Sequence, residues 1–179
     1  LVGFALDRIV GAIGALIAGK RVLVTGGGGT IGGELCRQIA ALKPAQLCVV
    51  EYGEFNLYTV EMELREKFPD LPLRMFLGDV RDAVRLRALF IAEKPELVFH
   101  AAALKHVPIA EENVRETVLT NVHGTRLVMD CARECGALAA VLISTDKAVN
   151  PTSVMGATKR MAELYTQSRD TAENRTRCL

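Results

Sequence analysis

Gly26-Gly27-Gly28-Gly29-Thr30-Ile31-Gly32-Gly33 is the run whose residue types and spacing speak most directly of chemistry. Glycines let a chain turn tightly and approach a ligand closely, and a helix that starts inside such a run offers free amide donors to an anion. Gly26, Gly29 and Gly32 fit G-x-x-G-x-x-G, and G-x-G-x-x-G also starts at Gly27. Either pattern suits a dinucleotide pyrophosphate when a strand precedes it and a helix follows. Glu51 stands 19 residues after Gly32. A carboxylate there can bind the ribose hydroxyls of adenosine and repel a 2′-phosphate, which favours NAD over NADP; a plain polar strand end is the alternative. Asp79, in Leu77-Gly78-Asp79-Val80, either reaches an adenine or caps the helix that follows.

The surrounding elements have the order such a site needs. Short apolar runs of β type occur at Arg21–Thr25, Gln46–Glu51, Leu73–Phe76, Leu97–His100 and Ala139–Ser144. Helical spacing separates them: Ile31, Leu35, Ile39 and Leu42; then Leu57, Val60, Leu64 and Phe68; then Leu86, Leu89 and Phe90; then Val114, Val118, Val122 and Met129, stopped by Gly136. Met161, Ala162 and Tyr165 begin a fifth helix. Near-continuous apolar strands alternating with helices predict a parallel sheet covered on both faces, a doubly wound α/β fold.

The chain has 179 residues, 50% hydrophobic and 24% charged, with a formal net charge of +1. That balance excludes a disordered chain and gives no support to nucleic-acid binding. Five cysteines, an odd number at irregular spacing, do not form a disulfide framework and favour a reducing, cytoplasmic setting. Cys131 and Cys135 share a helix face, yet no His or second Cys pair stands near them, so they read as core residues and no metal is expected. Residues 1–19 are the most apolar stretch, but the clean run from Ile9 to Gly19 is shorter than the roughly 20 residues of a membrane span. Helical spacing of Ile9, Ile13, Leu16 and Ile17 predicts a packing helix leading into a dinucleotide-binding domain over residues 20–179, with membrane contact as the alternative.

Four motifs in order, TGGGGTIGGEL, HAAALKHVP, TNVHGT and STDKAVNPTSVMGATKR, resemble the extended short-chain dehydrogenase/reductases. The second and fourth narrow the resemblance to the polysaccharide-biosynthesis branch, the UDP-N-acetylglucosamine 4,6-dehydratases and their large membrane-anchored relatives. It runs from about Ile17 to the C-terminus. It implies a Rossmann-like fold, a UDP-sugar substrate, NAD or NADP as cofactor, and a place at the inner face of a bacterial membrane through regions outside this chain, with a homo-oligomer left open. It also implies that Leu1 and Leu179 are cuts, that a C-terminal substrate domain is missing, and that the fragment binds cofactor weakly and turns over little.

The resemblance further assigns roles. Gly26, Gly29, Thr30, Ile31, Gly32, Glu51, Asp79, Val80, Ala101, Ala102 and Lys159 would bind the cofactor. Lys105 and His106 would face the nucleotide sugar, and Asn121 would brace the active-site backbone. Thr145 would hold the carbon 4 hydroxyl, with Asp146 as acid and Lys147 as base in eliminating water across carbons 5 and 6. Met155 stands where the wider superfamily has the tyrosine of Y-x-x-x-K, and no other tyrosine has Lys four residues on. Met cannot take a proton, so Asp146, or a water held by Thr145, is the expected oxidation base. A sugar epimerase or reductase, which wants that tyrosine, and a non-catalytic cofactor-binding fragment are the alternatives.

Overall fold

The computed structural model describes residues 16–171 and 175–179. Most of the expected lead-in helix lies outside the described residues. Ile17, which is described, is buried in the core.

Strands β1 (Arg21–Thr25), β2 (Gln46–Glu51), β3 (Leu73–Leu77), β4 (Leu97–His100), β5 (Ala139–Leu142) and β6 (Arg177–Cys178) form one parallel sheet in the order β3-β2-β1-β4-β5-β6. Helices α1 (Thr30–Ala41), α2 (Glu54–Lys67), α3 (Ala83–Glu93), α4 (Val107–Glu112), α5 (Val114–Val118), α6 (Thr125–Glu134) and α7 (Val154–Arg169) connect them. A π-helical turn, Leu119–Gly124, joins α5 to α6, and a 3₁₀ turn, Asp146–Ala148, follows β5.

Alternate residues of each strand serve opposite faces of the sheet. Val22, Val24, Leu47 and Val49 pack with Cys36, Ile39, Leu57 and Leu64 of α1 and α2. Leu23, Cys48, Val50 and Val98 pack with Phe90 of α3 and Val128 and Met129 of α6. Both faces are covered, so the strands read as continuous apolar runs rather than as alternating ones. The expected Rossmann-like architecture is the one observed.

Several details differ from the sequence reading: α7 starts at Val154, capped by Ser153, ahead of the expected Met161, and β3 runs on to Leu77. The fifth strand stops at Leu142, two residues early, because its neighbour β4 ends at His100, the residue paired with Leu142. The unexpected β6 is only two residues long, too short for a hydrophobic pattern; its Arg177 is anchored to Asp170 at 2.7 Å and the preceding Thr176 donates to the Ala137 carbonyl at 2.6 Å. The helix expected from Val114 is interrupted by the π turn, and α4 stands apart before it, started by Pro108 and ended at Asn113.

Candidate active site at the switch point of the sheet

The sheet order reverses between β1 and β4, so the crossovers diverge there and leave a crevice beyond the carboxyl ends of the strands. A cleft of about 320 Å³ occupies this place. Gly26 and Gly29 line it after β1, Glu51 and Tyr52 after β2, Asp79, Val80 and Arg81 after β3, and Ala101–Leu104 after β4.

The phosphate loop is built by close backbone approach. Gly26 has φ +70°, and a Cβ on it would come within 2.6 Å of the Ala102 backbone. A Cβ on Gly32 would collide with the Gly26 carbonyl oxygen. The Gly26 amide donates to Val50 O at 2.8 Å, which ties the loop to β2. Helix α1 then begins at Thr30 with no side-chain cap and no acidic residue in its first turn. Its first amides therefore carry partial positive charge that no carboxylate of that turn offsets. The cradle fits a dinucleotide pyrophosphate. Thr30 faces a second hollow beside Gly28, Arg37 and Asn56, and Ile31 is exposed.

Two carboxylates flank the far side of the cleft. Glu51 accepts from the amides of Gly28 and Gly53, each at 3.0 Å, so it is tied to the glycine loop on one side and to the start of α2 on the other. Asp79 does not cap the next helix; Asp82 does, accepting from the Arg85 amide at 3.0 Å. Asp79 instead takes a two-pronged bond from Arg81, at 2.8 and 3.0 Å, and Arg81 also reaches Glu116 and lies over the Tyr52 ring. Burial raises the Asp79 pKa, but the Arg81 side-chain and backbone hydrogen bonds outweigh it and hold the carboxyl below its ordinary value.

The 144–147 segment lies at the end of β5. Ser144 donates to Glu163 at 2.5 Å, and Thr145 donates to Asp146 at 2.9 Å. Asp146 and Lys147 are exposed on the 3₁₀ turn. Lys159 is buried on α7 and its Nζ donates to Ile143 O at 2.6 Å, just ahead of that segment. Burial lowers the Lys159 pKa, and Glu163 partly opposes the shift. Met155, one turn before Lys159, is fully buried. Lys105 and His106 are exposed in the loop after the cleft, and His106 occupies the cap position of α4; neither lines the cleft.

A buried polar cluster backs the site. Asn121, in the π turn, accepts from the Leu104 amide at 2.8 Å and donates to Leu104 O and to Thr158 Oγ1, each at 3.0 Å. It grips one residue of the cleft wall from both sides. His100 lies between Thr25 (2.6 Å) and Thr125 (3.0 Å). Full burial, with a lesser push from Lys159, drives its pKa down to about 3.

Sequence reasoning missed Tyr52, Asn56, Arg81, Glu116 and Thr120 in the cleft wall. The basic residue two places after Asp79 was a usable signal for the clamp; Glu116 of α5 and Thr120 of the π turn are distant in sequence and had none. Among the described residues no His, Cys, Asp or Glu group forms a metal cluster, and no helix is long and apolar enough to cross a membrane. The cysteines are free, and burial pushes Cys131 up to about 11 and Cys36 and Cys48 to about 12.

Comparison with known proteins agrees with this geometry. Residues 22–179 match the family described as polysaccharide biosynthesis protein. The probable polysaccharide biosynthesis protein EpsC of Bacillus subtilis is 45% identical over 83% of this chain and 25% of its own length. A UDP-N-acetylglucosamine 4,6-dehydratase (inverting) of Campylobacter jejuni is 36% identical over 88% of this chain and 46% of its own. The crystal structure of a DesIV double mutant, a dTDP-glucose 4,6-dehydratase from Streptomyces venezuelae with NAD bound, superposes with a TM-score of 0.73 at 27% identity, covering 86% of this chain and 52% of that one. The chain thus spans between a quarter and about half of these relatives. With a family match over nearly its whole length and a Rossmann-like sheet shared with these dehydratases, the chain belongs to the polysaccharide biosynthesis protein family of short-chain dehydrogenase/reductases.

Proposed function

We propose that this chain is the cofactor-binding and catalytic part of a nucleotide-sugar 4,6-dehydratase acting on a UDP-sugar in polysaccharide or glycan biosynthesis. The observation that carries the reading is the edge after β5. Thr145, Asp146 and Lys147 follow Ile143, whose carbonyl holds the buried Lys159, while the buried Met155 supplies no proton acceptor. A site without that acceptor suits neither the epimerase nor the reductase alternative. The named relatives support the dehydratase class.

A nicotinamide dinucleotide bound in the cleft would supply the hydride acceptor for carbon 4 and the donor for carbon 6. Gly26, Gly29 and the α1 amides of Thr30, Ile31 and Gly32 would hold its pyrophosphate. Glu51 would take the adenosine ribose and repel a 2′-phosphate, which favours NAD. Asp79 and Val80 would meet the adenine, Ala101 and Ala102 would wall the cleft, and Lys159 would hold the nicotinamide ribose. Thr145 would bond the carbon 4 hydroxyl, and Asp146 would take that proton, directly or through a water on Thr145 that passes it on. Neutral Lys147 would then remove the carbon 5 proton while protonated Asp146 delivers its proton to the departing carbon 6 hydroxyl, so one water leaves; Lys147 would return its proton to carbon 5 as the hydride reaches carbon 6. Lys105 and His106 would meet the sugar nucleotide outside the cleft.

The test is to incubate the intact enzyme with UDP-N-acetylglucosamine and follow the nucleotide sugar by mass spectrometry. Loss of one water supports the reading. An unchanged mass with interconversion of the carbon 4 epimers would replace it with the epimerase alternative.

A further inference from the structure

His100 belongs to a chain of hydrogen bonds that neither the cofactor nor the elimination chemistry uses. Thr25, His100, Asn121, Thr125 and Thr158 are all at most 3% exposed. The direction of each bond follows from donor capacity. Thr125 Oγ1 has one proton and gives it to the Asn121 carbonyl at 2.6 Å, since a carbonyl can only accept. Toward His100 Nε2, at 3.0 Å, Thr125 therefore accepts, so Nε2 carries the ring proton. Nδ1 is then bare and accepts from Thr25 Oγ1 at 2.6 Å. The same reasoning orients Asn121: its nitrogen donates to Leu104 O and Thr158 Oγ1, and its oxygen accepts from Leu104 N. Thr158 Oγ1 passes its own proton to Met155 O at 2.8 Å.

These bonds add side-chain links between three segments of the site, of which Thr25 and His100 are already register partners in the sheet. Thr25 is the last residue before the phosphate loop. Leu104 closes the wall after β4. Met155 and Thr158 lie on the helix that carries Lys159. The π turn makes the join: it places the Asn121 side chain on Leu104 and Thr158 while the Asn121 carbonyl faces Thr125. Such turns recur at functional sites.

We propose that His100, held in its Nε2–H tautomer, is a positioning residue that sets the phosphate loop in register with the Lys159 helix. It acts through Thr25 on one side and through Thr125 and Asn121 on the other. The proposal rests on the cofactor-binding reading of the cleft and is independent of the sugar chemistry.

Thr25→Val and Thr125→Val keep shape and remove one hydroxyl each, while Thr25→Ser and Thr125→Ser restore the hydroxyl. In the cofactor-free chain, nitrogen NMR should find a bare Nδ1 and a protonated Nε2 on His100. Thr25→Val should also shift the Leu104 and Thr158 amides, which it does not touch. Shifts confined to immediate neighbours, or the opposite tautomer, would overturn the proposal. NAD titration of the intact enzyme, at a temperature where every variant is folded, should show about 3- to 10-fold weaker binding for each Val variant. The Ser variants should bind like the parent. Lowered melting temperatures with unchanged NAD affinity would reduce His100 to a packing role and overturn the proposal. If the intact parent enzyme itself fails to bind NAD, the cofactor reading falls, and the amide shifts alone decide whether the register link exists.

Discussion

Acidification from pH 7 to pH 5 is expected to weaken the fold through a single side chain. His100 has a pKa pushed down to about 3 from an ordinary value of 6.5, by burial first and by the Lys159 charge second. Between those two values the unfolded chain binds a proton that the folded chain refuses. Stability therefore rises with pH across the window and falls as pH drops below 6.5. Each unit below 6.5 removes about 1.4 kcal/mol, so the loss at pH 5 is about 2 kcal/mol. The side chain is fully enclosed, so solvent screening does not soften the figure. Glu34, Glu63, Glu96 and Glu163 have pKa values below 4.5, so their hydrogen bonds and ion pairs survive throughout this window. Urea unfolding at pH 7, 6 and 5 measures the effect. His100→Asn, or His100→Gln should the Asn variant unfold, removes the titrating ring and cancels contributions from every other group. The parent should lose about 2 kcal/mol more than the variant between pH 7 and pH 5. Parallel losses in parent and variant would refute the reasoning.

Other substitutions probe the core and the site. Phe90→Ala, at a position 1% exposed between α3 and the sheet, should cost about 3–5 kcal/mol of stability by urea titration. Gly32→Ala drives a methyl into the Gly26 carbonyl, and neither backbone can yield cheaply. It should cost about 1–3 kcal/mol and weaken NAD binding at least tenfold by calorimetry. Glu51→Ser removes the carboxylate that bonds Gly28 and Gly53; the ratio of NADP to NAD affinity should rise, and an unchanged ratio would remove Glu51 from cofactor choice. Asp146→Asn in the intact enzyme should lower dehydration turnover by about 10²-fold or more while leaving NAD affinity unchanged, since Asp146 lies on an exposed turn outside the cleft.

Short-range patterns were enough for the frame of this protein. The runs at Arg21–Thr25 and Gln46–Glu51 are strands because every residue between their ends is apolar and both sheet faces are covered. The glycine run could be read because its spacing is local, and the clash of a Gly32 Cβ with the Gly26 carbonyl lies within the run; the approach of Gly26 to Ala102 needed the fold. Other features needed the fold. The strand β6 is two residues with no periodicity, and it forms because β5 offers an open edge and Asp170 holds Arg177. Asp79 offered a choice between adenine contact and capping, and only the position of Asp82 and the reach of Arg81 excluded the cap. Lys105 and His106 sit in the expected segment, yet α4 starts there and carries them outside the cleft. The sequence by itself determined where the five longer strands lie and where a pyrophosphate could bind, because those follow from residue type and spacing. Only the tertiary structure decided that His100 is neutral and that Asn121 grips Leu104 and Thr158. Those states depend on burial and on partners 17 to 75 residues away along the chain, which no local pattern encodes.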